Sequence, residues 1–142
     1  MQDLMNSVNP TGIAATGVIT VTDNTAIVSG IVDKQGFDSL MFIIATGTLA
    51  DADATFTVLV EDGDDSGLSD AAAVADAYLL GTEALASFTF AEDASALKIG
   101  YIGGKRYVRC TVTPAANTGS APIAIVGLLG HPSRAATTNP PA

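Results

Sequence analysis

The 142-residue sequence has one cysteine, one histidine and no tryptophan. A single Cys excludes a disulfide framework and any Cys-based zinc site within one chain. A single His excludes two-histidine metal motifs such as HExxH. It also leaves a Ser or Cys nucleophile almost no choice of general base. Without Trp, the usual platform for stacking sugars is missing. Long apolar runs are absent too. The longest, Ala121 to Leu129, is broken by Pro122 and Gly127 and falls short of the ~18–20 residues a spanning helix needs. The first basic residue is Lys34, so no basic leader precedes an apolar segment. The expectation is a protein made in a cytoplasm that leaves by a route needing no signal peptide, with no membrane partner.

What remains is apolar and acidic. Residues of the apolar class make up 48 %, charged residues 15 %, and the net charge is −9. Such a chain has core material enough for one domain and is not disordered as a whole. The charge is uneven. Residues 1–93 hold all 15 acids and one base, for −14, while residues 94–142 hold five bases and no acid. Two halves that interleave would neutralise each other, and a separate basic face would suit an acidic partner. The net charge argues against nucleic acid as a partner, since phosphate contacts need clustered Lys and Arg.

Short runs rich in Val, Ile, Thr, Phe and Tyr alternate with turn residues, as in an all-β domain. Strands are predicted at 12–21, 25–33, 38–47, 54–61, 86–91, 96–102, 105–114 and 121–130. The fold class is therefore all-β, a two-sheet antiparallel sandwich or jelly roll. Residues 12–130 form the single domain, with flexible arms at 1–11 and 131–142. Alternation puts Phe56, Val58 and Val60 on one face of their strand, and Val108, Cys110 and Val112 on one face of theirs. Leu40 to Ala45 and Ile123 to Leu129 are apolar on both faces, so they should be central strands covered twice. Residues 69–79 form one short excursion, either helical or extended. Ser69 is the candidate N-cap and Gly81 the stop.

Three constellations bear on chemistry. Asp62, Asp64, Ser66 and Asp70 occupy positions 1, 3, 5 and 9 of a calcium loop with Gly67 at position 6, but position 12 is Ala73 where a bidentate Glu is needed. An acidic turn without metal is the simpler reading, and neither metal nor cofactor is expected. Gly100 to Arg106 is glycine-rich beside a Lys but lacks the P-loop spacing. It reads instead as a hairpin turning at Gly103-Gly104. Around that turn Tyr101, Lys105, Arg106, Tyr107 and Arg109 form the densest polar-aromatic cluster, of the residue types that carry interfaces. An ordinary sheet surface would hold the same residues.

Several blocks resemble the small capsid decoration, or cement, proteins of tailed bacteriophages. They are Gly36-Phe-Asp-Ser-Leu-Met-Phe-Ile-Ile-Ala-Thr-Gly47, Thr55-Phe-Thr-Val-Leu-Val-Glu-Asp62, Leu79-Leu-Gly-Thr82, Lys98-Ile-Gly-Tyr-Ile-Gly-Gly-Lys-Arg-Tyr-Val-Arg109 and Ala124-Ile-Val-Gly-Leu-Leu-Gly-His-Pro132. The resemblance implies a jelly-roll-like, non-enzymatic virion protein on the outer surface of the head. Its partners would be the major capsid protein and itself, as a dimer or trimer. The rival readings are another structural component of the phage, in the tail or at head completion, and a small ligand- or sugar-binding jelly roll.

Overall fold

The computed structural model of the chain describes residues 3–11, 19–134 and 137. The strands are β1 (Val8–Thr11), β2 (Ile19–Val21), β3 (Ile27–Val28), β4 (Val32–Asp33), β5 (Phe37–Thr46), β6 (Thr55–Gly63), β7 (Ala72–Ala73), β8 (Leu79–Leu80), β9 (Phe88–Thr89), β10 (Ala96–Tyr101), β11 (Tyr107–Ala115) and β12 (Ala121–Pro132). One four-residue helix, α1 (Glu83–Ala86), and three 3-10 turns complete the described elements. All strand pairs are antiparallel.

The strands form two sheets, as expected for an all-β sandwich. Sheet A runs β1-β12-β5-β10-β8, with β2 also on β12. Sheet B runs β3-β11-β6-β7, with β4 on β11 and β9 on β6. Register explains the core. Phe42, Ile44, Ile99, Tyr101, Ile123 and Ile125 of sheet A face Val58, Val60, Val108, Cys110 and Val112 of sheet B, all under 2 % exposed. Phe56 and Phe88, paired across β6 and β9, stack at 4.8 Å. Each such side chain stabilises the fold by about 1.5–3 kcal/mol through removal from water. Burial also pushes the Cys110 thiol up to about 12, with the Glu83 carboxylate adding to the effect.

The excursion at 69–79 is extended. Ala72 and Ala73 pair with Asp62 and Glu61, a 3-10 turn follows at Asp76–Tyr78, and Leu79 pairs with Tyr101. The segment thus passes from the edge of sheet B to the edge of sheet A. Alanine favours helix, but two anchors, Val74 and Leu79, are buried in the core and decide the path. Ser69 caps no helix, and Gly81 turns the chain at φ +88°. The described helix lies after Gly81 instead, where Thr82 accepts a hydrogen bond from the Leu85 amide at 3.1 Å.

Three expected boundaries move. Within the expected N-terminal arm, Val8–Thr11 is a strand paired with Gly127–Gly130. Pro10 is tolerated there because β1 is an edge strand of the sheet. Likewise β12 runs on to Pro132, so His131 and Pro132 belong to the sheet. The predicted strand 25–33 is split, because Ser29 turns its hydroxyl inward to accept the Cys110 amide at 2.9 Å. Residues 12–18 of the first predicted strand, and most of the C-terminal arm, lie outside the described residues.

Candidate interaction surface

The polar-aromatic cluster is built at the crossing between the sheets. β10 belongs to sheet A and β11 to sheet B, so Gly103-Gly104 does not close a hairpin between paired strands, as expected, but carries the chain from one sheet to the other. Tyr101 is 1 % exposed, which removes it from the expected partner-facing set. It alternates inward with Ile99 and Leu97, and its hydroxyl donates to Asp62 of β6 at 2.6 Å while accepting the Lys105 amide at 3.1 Å. Burial, then the hydrogen bond to Asp62, raises its pKa well above the usual phenol value. Gly103 lies flat on its ring, where a Cβ would sit 2.4–2.6 Å from the hydroxyl oxygen, Cζ and Cε2. Lys34 closes the other side, donating to the Gly103 carbonyl at 2.8 Å with its ammonium 5.3 Å from the ring centre.

The cluster's cations are each engaged by an acid from the first half of the chain. Arg106 holds Asp33 through two bonds of 2.7 and 2.8 Å and lies 5.0 Å from the Tyr107 ring centre. Arg109 bonds Glu61 at 2.8 Å, directly across the strand pair. Lys105 pairs with Asp64. The uneven charge read from the sequence is thus folded together, the acidic half onto the basic one. The Lys105–Asp64 and Arg106–Asp33 pairs are exposed and each contributes little, while the Arg109–Glu61 pair is half-buried.

The calcium-loop residues are engaged likewise. Asp62 accepts from Tyr101, and Asp64 pairs with Lys105. Asp70 takes the amides of Asp64 and Asp65 at 2.8 and 3.1 Å, and these bonds hold its pKa below the usual carboxylate value. Ser66 is exposed. Among the described residues no three His, Cys, Asp or Glu converge as a metal site. An open groove of about 700 Å³ beside this loop is lined by Asp62, Asp64, Val74, Tyr78 and Lys105 among others. Ser39 and His131 meet at 2.8 Å through Oγ and Nδ1, but no carboxylate is bonded to that ring among the described residues.

The surface that sequence reasoning did point to is the outer face of sheet A. β5 and β12 are its central strands and pair with each other over Phe37–Thr46, as their two-sided apolar character requires. Register sorts their outward residues into rows. Leu80, Gly100, Met41, Leu128 and Pro10 lie in one row across five strands. Lys98, Ile43 and Val126 form the next, and Ala96, Ala45 and Ala124 the one beyond. Leu80, at the β8 edge, is more than half exposed. Lys98 is the only charge in these rows. The outer face of sheet B is more polar, with Arg109, Glu61, Thr111, Thr113 and Thr57 beside Leu59 and Val28. A polar outer face is the normal state of an antiparallel sandwich, and sheet A departs from it.

No protein-family model matches the chain, and no curated protein matches it. Among solved structures, the chain is similar to the PBSX exported protein XepA, at TM-score 0.55 and 12 % identity over 98 % of this chain and 42 % of that one. It is also aligned with the SPBc2 prophage-derived protein YomS, at TM-score 0.44 and 11 % identity over 92 % of this chain and all of that one. A xylan-active module pair of Clostridium thermocellum Xyn10B, solved with xylohexaose, aligns at TM-score 0.42 and 11 % identity over 95 % of this chain and 28 % of that one. The chain thus spans less than half the length of XepA. What it has in common with that protein is its fold, an antiparallel two-sheet β-sandwich.

Proposed function

We propose that this chain is a structural protein of a phage particle, which binds the outside of the head and staples neighbouring major capsid subunits. The observation that carries this reading is the outer face of sheet A. An acidic chain that keeps its ion pairs within itself presents one face almost free of charge, of the kind that marks protein interaction sites. The sequence blocks that resemble capsid decoration proteins support the reading. So does the fold that the chain has in common with the PBSX exported protein XepA. The mechanism is binding alone, with modest contacts multiplied by the symmetry of the shell.

Co-sedimentation of the purified chain with expanded capsids of the matching phage tests it, together with quantitative mass spectrometry of purified virions. Binding and hundreds of copies per virion are the expected result. Six or twelve copies would point instead to a head-completion or connector role. Absence from virions together with no capsid binding would overturn the reading.

A further inference from the structure

We propose that the open groove beside the crossing between the sheets binds a neutral carbohydrate. The inference goes beyond the capsid reading, because no residue of the three outer rows of sheet A lines this groove.

The groove is preformed from two walls. One is the extended segment that carries Tyr78 from the edge of sheet B to the edge of sheet A. The Val74 amide ties it to the Val60 carbonyl at 2.9 Å, and the Tyr78 carbonyl accepts the Ile102 amide at 2.9 Å. The other wall is the Gly103–Lys105 connection, fixed by the Tyr101 hydroxyl and by Lys34. Asp62 of β6 and Asp64 just beyond it complete the lining. The volume of about 700 Å³ is that of a small-ligand site, for which ~300–1,000 Å³ is usual.

Three observations select the ligand class. The first is charge. Around the connection the carboxylates of Asp62 and Asp64 are matched by the ammonium groups of Lys34 and Lys105, with Lys105 paired to Asp64 and Lys34 bonded to the Gly103 carbonyl. An anion and a cation each meet a like charge there.

The second is hydrogen bonding. One Asp62 oxygen accepts the Tyr101 hydroxyl, and the other has no partner among the described residues. Ligand hydroxyls can donate to that oxygen and accept from Lys105, and a polyol does both.

The third is the ring. Tyr78 is 55 % exposed, and its hydroxyl makes no hydrogen bond among the described residues. In a chain without Trp it supplies the flat face on which the C–H groups of a sugar ring pack, leaving the sugar hydroxyls free at the rim. Gly104, on the other wall, adds no side chain to obstruct the groove, and nothing lies within 4 Å of where its Cβ would be.

An array of neutral, sulfated and sialylated oligosaccharides probed with the full chain tests this, followed by titration calorimetry with the neutral oligosaccharide retained. Circular dichroism checks folding. Retention of neutral glycans is the expected result. Tyr78→Ala removes an exposed side chain, so it should fold, and it should weaken binding about tenfold or more. Gly104→Leu, which fills the groove from its other wall, should do the same. No neutral glycan retained, retention of charged glycans alone, or an affinity indifferent to both substitutions would overturn the proposal. A chain that pellets with capsids but retains no glycan would overturn this site alone. One that binds glycans through Tyr78 but is absent from virions and capsids would leave this site standing and overturn the function proposed above.

Discussion

Tyr101 and Asp62 tie the two sheets together: the phenol, on β10 of sheet A, donates to the carboxylate, on β6 of sheet B, at 2.6 Å. The same oxygen accepts the Lys105 amide at 3.1 Å, so one hydroxyl serves both sheets and the connection between them. Tyr101→Phe keeps the ring in the core and removes both bonds. It should lower unfolding free energy by about 1–3 kcal/mol, because a carboxylate and a backbone amide lose their partner in a half-buried place. Urea denaturation followed by circular dichroism reads this as a lower midpoint with unchanged slope.

The two glycines that follow should behave in opposite ways. A methyl at Gly103 would overlap the Tyr101 ring, whereas nothing lies within 4 Å of one at Gly104. Gly103→Ala should therefore destabilise by roughly 1–3 kcal/mol as the ring is displaced. Gly104→Ala should stay within about 1 kcal/mol of the parent. Melting temperatures of the two variants, measured side by side, check the contrast.

The middle of β6, between its pairings with β7 and β9, is closed by side chains. The Val60 amide donates to Glu83 at 2.6 Å and the Val58 amide to Ser87 at 3.0 Å, while Ser87 in turn donates to the Glu83 carbonyl at 2.7 Å. This covers a strand edge that would otherwise offer free amides. Glu83→Ala should cost about 1–3 kcal/mol by stranding the Val60 amide. Glu83→Gln, which keeps an acceptor, should cost less. Amide exchange at Val60 should accelerate in the first variant and change little in the second.

Stability should fall on acidification. The Arg106 hydrogen bond holds the Asp33 carboxyl below the usual carboxylate value, and backbone amides do the same for Asp51 and Asp70. A carboxyl whose folded pKa is depressed contributes stability above the unfolded value and loses it as pH falls through the folded one. Melting temperature should therefore decline from about pH 4 downward. Asp33→Asn should flatten that decline, and an unchanged profile in this variant would show that the Arg106 pair is not among its causes.

Much of the sandwich was legible because alternation is local. Phe56, Val58 and Val60, and Val108, Cys110 and Val112, sort themselves inward by a period of two without knowledge of their partners. The two-sided apolar runs at 40–45 and 123–129 likewise announce central strands, and they pair with each other. What escaped depends on distant neighbours. Tyr101 reads as a polar aromatic at a turn, and only Asp62, 39 residues away, makes its burial tolerable. The change of sheet between β10 and β11 leaves no local mark, since a tight hairpin would use the same Gly-Gly. The Ala-rich segment at 69–79 has helical propensity, but Val74 and Leu79 anchor it at the edges of different sheets. The rows on the outer face of sheet A required the register, which no single strand encodes.

The placement of β12 has a consequence for how this protein comes into being. This strand is the last of the described strands, yet it pairs with β1, β2 and β5 and separates the first of these from the rest of sheet A. During synthesis β1 has no partner, and the two-sided apolar β5 lacks its longest one, until residue 132 has been made. The nascent chain also carries its full excess of acid before Lys105, Arg106 and Arg109 arrive to offset it. Sheet A is therefore complete only after β12 closes the widest separation in sequence, a slow step before which a sticky strand stays open. Ribosome-bound lengths that stop short of residue 121 should leave β1 and β5 protease-sensitive, and resistance there should appear once β12 is free.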